Sequence, residues 1–286
     1  MLFPAVLLTF LFVYLPMFGV VIAFQEYNVS RGFLASKWVG IKNFAEVFSD
    51  PKFFVSFRNT VIMSALNLLF VFPVPILFSI ILGEMPFKLL KRMTQTVSYL
   101  PYFLSYVVIA TIWIMLLDPS GPVNALLMSW GVLKRPMSFL TESHLYRLIA
   151  ISINNWQNIG WGAIVYISAI AGINPELYEA AEIDGAGRIA KIRYITLPSI
   201  LGTVLVMLIL NIGNIFRGNF DQSYLLGNMF TRETSYVAEY YAFEMGLQQM
   251  RYSFASAISL FQSVLSLMMV YVANRVSYRI TGTSIF

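Results

Sequence analysis

Long apolar stretches set the main constraint on this chain. Blocks of about 18 to 26 mostly apolar residues recur along its length, and a helix needs about 20 residues to cross a hydrocarbon core of about 30 Å. Strands of a spanning barrel would instead alternate polar and apolar residues in segments of about 10. Only 12% of the 286 residues are charged and the mean hydropathy is +0.71. These features predict an all-α membrane protein.

Six membrane spans are predicted from the positions of the apolar blocks. We expect all 286 residues to form a single transmembrane domain. The first block is too long for a signal peptide and begins without a charged flank, so the natural chain is expected to extend further upstream. The approximate bounds are Leu2 to Phe24, Asn59 to Leu82, Val97 to Leu117, Leu148 to Ala171, Ser199 to Phe216 and Ala255 to Ala273.

The loops differ in their density of basic residues. With six spans, residues 83–96, 172–198 and the tail from Asn274 share one side of the membrane and hold eight of the 19 bases in roughly 50 residues. The remaining loops hold eleven bases in about twice that length. The denser set is predicted to be cytoplasmic.

Several chemistries have little support in this composition. There is no cysteine, so disulfides and thiolate sites are excluded, and the one histidine, His144, is interpreted as a solvated side chain. No basic run with interleaved aromatic residues indicates nucleic-acid binding. There is also no phosphate-loop, HExxH or GxSxG motif, so the chain is predicted not to be an enzyme and not to hydrolyse ATP itself.

Amide side chains are unusually frequent at membrane depth. Such groups either join neighbouring helices or line a wet cavity, and the sequence leaves both interpretations open. Nearby aromatic residues either stack on sugar rings or belong to interfacial belts. The residues concerned are Asn67, Asn154, Asn155, Gln157, Asn158, Asn211 and Asn214, with Trp113, Trp156, Trp161, Phe216 and Phe220. Candidates for a substrate pathway are Asn154, Trp156, Asn158, Asn211, Asn214 and Phe220.

A dense polar insert separates the fourth and fifth predicted spans. Asn174-Pro175-Glu176 is typical of a helix start, with Asn as the N-cap and Pro at the first position. Gly185 can end that helix in the left-handed conformation. A second segment from Ala186 is expected to end at Leu197-Pro198, where the proline fixes the entry into the next span. The insert is predicted to be either a helix–turn–helix for docking or a simple surface loop.

Three short motifs in this insert carry a family resemblance. Glu179-Ala180-Ala181, Asp184-Gly185-Ala186 and Ile195-Thr196-Leu197-Pro198 resemble the EAA loop of permease subunits in binding-protein-dependent ABC importers. Ile192 departs from this pattern, since an aromatic residue is common there. Segments elsewhere in the chain are similar to the polysaccharide and lipo-oligosaccharide branch of these permeases. That branch includes subunits importing alginate and rhamnogalacturonan fragments. These are 38–44, Ser98-Tyr99-Leu100-Pro101, 218–222 and Ala273-Asn274-Arg275.

The resemblance implies a type I ABC importer permease with six transmembrane helices in the bacterial cytoplasmic (inner) membrane. It implies a heterodimer with a second related permease, two ATP-binding subunits that hold ATP and Mg, and an extracytoplasmic solute-binding protein. This chain would itself bind no cofactor. Its substrates would be oligo- or polysaccharide fragments, and acidic, uronate-containing fragments are among the candidates. The coupling residues would be Glu179, Ala180, Ala181, Asp184, Gly185, Ala186, Leu197 and Pro198, within the loop 174–198.

Other membrane functions have less support in the residues. A secondary carrier would use acids inside the spans, and none lies in a predicted span. An ABC exporter half would carry longer cytoplasmic helices, and a purely structural subunit leaves the EAA motif unexplained. Arg217, Arg232 and Arg251 offer attraction for an acidic glycan, but nearby carboxylates offset them.

Overall fold

A computed structural model describes residues 2–217 and 219–281, which are mostly helical. Within these ranges, the assigned strands are Gln25–Glu26 and Lys37–Trp38, which pair antiparallel with Gln25 opposite Trp38. The all-α membrane architecture predicted from the sequence is confirmed. The C-terminal helix is described over Tyr252–Thr281.

Long helices form the frame of the molecule. Among the described residues, five are long and apolar enough to cross a membrane. A sixth helix, Ser143–Ala171, has 29 residues but carries four amides at 154–158, which lower its hydropathy. Its length is still more than the roughly 20 residues that a span requires. The five apolar helices are Phe3–Phe24, Pro51–Gly83, Tyr106–Ser129, Arg188–Gly213 and Tyr252–Arg279.

Shorter helices connect these long ones. They lie between the spans or, at Pro122–Ser129, form the end of one. The others are Gly32–Ala35, Lys42–Ser49, Lys88–Tyr99, Pro175–Ile183, Phe220–Leu226, Arg232–Ser235 and Ala238–Phe243, the last continuing as the π-helical turn Glu244–Gln248.

The third predicted span, Val97 to Leu117, is wrong at its start. The helix Lys88–Tyr99 ends there and is followed by the 3₁₀ turn Leu100–Phe103, because Pro101 lacks the N–H that a continuing helix needs. A new helix begins at Tyr106, where the Ser105 side chain accepts a hydrogen bond from the Val108 N–H at 3.4 Å.

The fifth predicted span, Ser199 to Phe216, is also displaced. Its helix begins at Arg188 and runs through Pro198 to Gly213. Proline is tolerated there because a π-helical turn precedes it, and the wider turn removes the clash between the proline ring and the preceding carbonyl. The same arrangement occurs three times, with the π turns Phe10–Tyr14, Asn67–Val71 and Ile192–Thr196 each ending two residues before a proline, namely Pro16, Pro73 and Pro198.

The described chain divides into two compact units. The first comprises Met1–Thr60 and Tyr236–Leu265. Its core includes Phe53, Tyr241 and Phe254. Two buried polar side chains join its two chain segments: the Asn59 Nδ2 donates to the Tyr236 carbonyl at 3.1 Å, and the Thr60 hydroxyl accepts from the Ala238 N–H at 2.8 Å.

The second unit comprises Val61–Ser235 and Ser266–Phe286. Its core includes Met63, Ile109, Tyr146 and Ile153. The helix Ser143–Ala171 packs closely on its neighbours through two glycines. A Cβ on Gly160 would lie 2.2 Å from the Ser98 carbonyl oxygen, and one on Gly162 would lie 2.9 Å from the Pro75 Cγ. This close packing fixes the face that the amides of this helix present within the unit.

Candidate functional site

The EAA segment, residues 174–198, begins with the N-cap that the sequence predicts. The Asn174 Oδ1 accepts a hydrogen bond from the Glu176 N–H at 3.1 Å, and Pro175 occupies the first position of the helix Pro175–Ile183. Glu176 lies in the first turn, where the helix dipole favours a negative charge. The start of the segment is therefore fixed by local capping alone.

Gly185 ends that helix in the left-handed conformation, with φ of +77°. Two hydrogen bonds close the turn: the Gly185 N–H donates to the Glu182 carbonyl at 3.0 Å, and the Ala186 N–H donates to the Ala181 carbonyl at 2.8 Å. This pair is the Schellman motif, which satisfies carbonyl groups left open at a helix end. The predicted stop at Asp184-Gly185 is confirmed.

Two side-chain contacts then hold the returning chain against the first helix. The Lys191 Nζ lies 2.5 Å from the Glu182 Oε1, and this hydrogen bond lowers the pKa of the Glu182 carboxyl. The Tyr178 hydroxyl lies 2.9 Å from the Thr196 Oγ1, and Thr196 is buried. The predicted helix–turn–helix is therefore present. One polar contact lies close to the turn, and the other lies further along the helix Arg188–Gly213.

Six of the predicted coupling residues lie on the helix Pro175–Ile183 and in the turn that follows it. Glu179, Ala180, Asp184 and Gly185 are exposed, while Ala181 and Ala186 are half-buried. The other two, Leu197 and Pro198, lie further along the chain, within the helix Arg188–Gly213. Their assigned role in coupling stays a prediction.

The sequence analysis missed the apolar side chains that this segment exposes. Ile183 is 88% exposed and Ile189 is 81% exposed, and Leu177 is also exposed. Large apolar side chains that are exposed on a polar segment favour an interaction surface. The sequence signal was available, since Ile183 directly precedes the Asp184-Gly185 stop and therefore lies at the end of its helix.

A small cavity of about 240 Å³ lies at the base of the EAA segment. Its walls come from the segment itself, from the end of the helix Pro51–Gly83 and from the end of the helix Ser143–Ala171. The segment therefore lies beside the ends of two long helices of the same unit. The lining residues are Ile80, Gly83, Glu84, Ile170, Tyr178 and Thr196.

A larger cavity of about 390 Å³ lies elsewhere in the second unit, and we call it the amide cavity. Amide side chains form most of its polar lining, and Tyr106, Tyr166 and Phe72 supply aromatic rings. Four of the six predicted pathway residues contribute to it. The amides are Asn67, Asn154, Gln157, Asn158, Asn211, Asn214 and Asn219.

Three of these amides form a chain of hydrogen bonds across the cavity wall. The Asn154 Nδ2 donates to the Asn67 Oδ1 at 2.9 Å, and the Asn67 Nδ2 donates to the Asn219 Oδ1 at 3.1 Å. Asn67 therefore joins two parts of the chain that are far apart in sequence. Both interpretations of the amides hold here, because the same side chains connect helices and line the cavity.

Within the described residues, three further lining amides donate only to carbonyl groups of their own helices or turns. The Nδ2 groups of Asn158, Asn211 and Asn214 donate to carbonyl oxygens four residues earlier, at 2.9, 2.9 and 3.3 Å. An amide has two N–H donors and an acceptor oxygen, so each retains bonding capacity. The Tyr106 hydroxyl, which is buried, has no hydrogen-bond partner within the described part of the chain.

The structure places the two predicted aromatic pathway residues outside this lining. Trp156 packs edge-on against Trp113 with 6.0 Å between ring centroids, and Phe220 stacks on Tyr224 at 5.5 Å. Trp156 lies between Asn154 and Asn158, which are four residues apart and therefore share a helix face that excludes it. Sequence reasoning grouped these residues by proximity along the chain, whereas helical facing separates them.

Comparisons with known proteins agree with this architecture. Residues 75–280 match the family described as the binding-protein-dependent transport system inner membrane component. The chain is 38% identical over its full length to the polygalacturonan/rhamnogalacturonan transport system permease protein YteP of Bacillus subtilis, covering 89% of that protein. It is 36% identical to the protein LplB of the same organism, again over its full length and 90% of the relative.

A solved structure is similar throughout. A chain from the crystal structure of a bacterial alginate ABC transporter in complex with alginate pentasaccharide-bound periplasmic protein superposes with a TM-score of 0.91. It is 39% identical, and the match covers 99% of this chain and 94% of that one. The chain therefore belongs to the inner-membrane components of binding-protein-dependent transport systems, as a permease subunit of an ABC importer.

Proposed function

We propose that this permease imports an acidic, uronate-containing oligosaccharide into the cytoplasm. One relative is named for polygalacturonan and rhamnogalacturonan transport, and a similar solved transporter is described as an importer of the acidic polysaccharide alginate. The observation that carries the proposal is the amide cavity, because its seven amides suit a ligand rich in hydroxyl groups.

The chemistry of the cavity fits a sugar chain. Hydroxyl groups of a sugar both donate and accept hydrogen bonds, as the amides of Asn158, Asn211 and Asn214 do. The buried hydroxyl of Tyr106 would gain a partner from the same ligand. Aromatic rings such as that of Tyr166 would cover the apolar face of a pyranose. The pathway itself would be shared with the second, related permease.

The EAA segment would couple the pathway to ATP hydrolysis on separate subunits. ATP and Mg would be held there, and this chain would bind no cofactor. Ile183 and Ile189 would supply apolar contact with an ATP-binding subunit, and Glu179 and Asp184 would fix the orientation. The alanines Ala180 and Ala181 would allow the surfaces to approach closely.

Two helices would carry the movement from this segment to the cavity. The helix Pro51–Gly83 reaches the base of the segment at Ile80 and the cavity at Asn67, and the helix Ser143–Ala171 does so at Ile170 and Asn154. At 1.5 Å per residue these separations are about 20 and 24 Å. Movement caused by closure of the ATP-binding subunits would therefore be transmitted to the amide cavity through these two helices, which line both cavities.

The test uses the complete transporter in proteoliposomes, with its binding protein and ATP inside. Uptake of labelled tetragalacturonate, an acidic oligomer, is compared with uptake of neutral maltotetraose. Asn211→Ala is expected to lower uptake of the acidic oligomer severalfold without lowering the Tm, because the hydrogen bond from its side chain to the Met207 carbonyl lies within its own helix. Gln249→Ala, an exposed amide outside the cavity, serves as the control.

Uptake of the acidic oligomer that depends on ATP and on Asn211 supports the proposal. Uptake of the neutral oligomer alone would contradict the acidic substrate. Equal uptake by the Asn211→Ala and Gln249→Ala variants would remove the amide cavity from the pathway.

A further inference from the structure

The helix Lys88–Tyr99 carries an apolar stripe on its exposed side. Leu89, Met93 and Val97 follow one another at intervals of four residues and therefore share one side of the helix. All three are exposed, Leu89 by 74% and Val97 by 70%. A helix on the surface of a soluble protein would turn such a stripe toward the core. The stripe therefore faces an apolar environment outside this chain.

Polar residues of the same helix pack on the protein instead. Gln95 and Ser98 are half-buried. The Ser98 carbonyl oxygen would lie 2.2 Å from a Cβ on Gly160, so the two helices touch at this point. The helix Lys88–Tyr99 is thus polar toward the protein and apolar toward the outside, which is the pattern expected of a helix in contact with lipid.

Three bases occupy the first five residues of this helix. Lys88 and Arg92 are exposed and Lys91 is half-buried. The dipole of a helix disfavours cations at this end, and the first turn holds no acid. Within the described residues, none of the three forms an ion pair or a side-chain hydrogen bond. The charges therefore break a local rule without compensation from these residues.

The bases lie on the same side of the molecule as the EAA segment. Gly83 and Glu84, shortly before Lys88, line the 240 Å³ cavity together with Tyr178 and Thr196 of that segment. Four residues span at most about 14 Å, so the helix begins close to the base of the segment. This side is the one predicted to be cytoplasmic from the density of basic residues.

We propose that the helix Lys88–Tyr99 binds an anionic phospholipid of the cytoplasmic leaflet. The phosphate would lie at the three bases and an acyl chain along the apolar stripe. Arg92 follows Leu89 by three residues, so a base and the start of the stripe are neighbours on the helix surface. Bases beside a membrane attract anionic headgroups, and a phosphate accepts charge-assisted hydrogen bonds from them.

The length of the helix favours a lipid over a protein occupant. Its 12 residues extend about 18 Å, which is too short to cross a hydrocarbon core of about 30 Å. With the bases at one end and the stripe running from them, the helix matches one leaflet, which has a charged surface and an apolar interior. This arrangement does not depend on which sugar is transported.

The test uses the complete transporter, purified in mild detergent, and measures bound lipid by native mass spectrometry. The probes are phosphatidylglycerol, which is anionic, and phosphatidylcholine with the same acyl chains, which has no net charge. The variant is Lys88→Gln/Arg92→Gln, which removes two exposed bases four residues apart. The matched control is Arg275→Gln/Arg279→Gln, which removes two exposed bases with the same spacing near the end of the helix Tyr252–Thr281.

The unaltered transporter is expected to bind phosphatidylglycerol more tightly than phosphatidylcholine. Lys88→Gln/Arg92→Gln is expected to weaken binding of phosphatidylglycerol roughly tenfold and to leave that of phosphatidylcholine unchanged. Lys88→Arg/Arg92→Lys, which keeps both charges, is expected to retain the preference. The control pair is expected to weaken it by less than about twofold. The Tm is expected to be the same in all of these proteins, because the substituted side chains are exposed.

Three results would overturn this assignment. An equal loss from both pairs of substitutions would mean that bases on this side attract anionic lipid generally and that the helix holds no site. Equal binding of the two lipids by the unaltered transporter would contradict the site directly. Loss of a co-purifying subunit from Lys88→Gln/Arg92→Gln, with the lipid preference intact, would assign this surface to a protein partner instead.

Discussion

Substitution of Gly185 tests the EAA segment most sharply. Its φ of +77° lies in the left-handed region, and its N–H donates to the Glu182 carbonyl. Gly185→Pro removes that donor and locks φ near −65°, so the turn cannot form. The bond from the Ala186 N–H to the Ala181 carbonyl would be lost with it. The helix Pro175–Ile183 would then no longer be joined to the returning chain in one geometry.

The structure also gives the expected energetic cost of a milder substitution, Gly185→Ala. A Cβ at Gly185 meets nothing within 4 Å, so Gly185→Ala costs only the left-handed backbone, about 1–2 kcal/mol. That is roughly a 5- to 30-fold shift between the intact and the opened turn. Gly187, two residues on, has a φ of −72° and equal space, so Gly187→Ala is expected to cost nothing measurable.

The assay is the ratio of oligosaccharide transported to ATP hydrolysed, in proteoliposomes with the binding protein. We expect Gly187→Ala to match the unaltered chain, Gly185→Ala to lose part of the coupling, and Gly185→Pro to lose nearly all of it. Membrane insertion, followed by fractionation, is expected to be the same in all four proteins because the substitutions lie outside the spans. Undiminished uptake by Gly185→Pro would refute the reasoning.

Three further predictions concern the ties within the second unit. Because Lys191 lowers the pKa of Glu182, their contact stabilises the segment at neutral pH and is lost as the pH falls through that lowered pKa. Hydrogen exchange of the segment, corrected for intrinsic rates, should therefore be constant between about pH 6 and 8. It should be faster in Lys191→Met, which removes the contact. Gly160→Ala should lower the free energy of unfolding by about 1–3 kcal/mol, and the Tm with it, because its Cβ would meet a backbone carbonyl at 2.2 Å. Gly202→Ala should lower neither, because a Cβ there meets open space. Asn67→Ala removes two hydrogen bonds between amide side chains and should lower the free energy of unfolding by about 1–3 kcal/mol in a detergent unfolding titration. No loss would mean that this chain of hydrogen bonds adds nothing to stability.

Local rules made much of the EAA segment predictable. The N-cap at Asn174 depends on a side chain and an N–H two residues apart, and the stop at Gly185 depends on one backbone conformation. Neither needs tertiary contacts. The helical spans were equally predictable from the apolar blocks, because a chain in lipid must satisfy its backbone hydrogen bonds internally and has few alternatives to a helix.

Features that depend on packing were not predictable in the same way. Pro198 indicated the start of a span, but the helix continues through this proline because a π turn precedes it. Trp156 lies between two cavity residues in sequence and packs on Trp113 instead. Arg251 has carboxylates close to it along the chain, and the folded structure pairs it with Glu46 instead. In the last two cases, a partner far away in sequence decided the outcome.

The absence of cysteine from this chain allows a direct test of the coupling surface by cross-linking. Ala180→Cys places a single thiol on the exposed face of the EAA segment, and Ser30→Cys places one in an exposed loop predicted to lie across the membrane. Each variant is treated in its native membrane with a short amine–maleimide cross-linker, and the products are identified by mass spectrometry. We predict that Ala180→Cys joins this chain to an ATP-binding subunit and that Ser30→Cys does not. Cross-linking to that subunit from Ser30→Cys, or none from Ala180→Cys, would contradict the assignment of the EAA segment as the contact through which ATP hydrolysis drives transport.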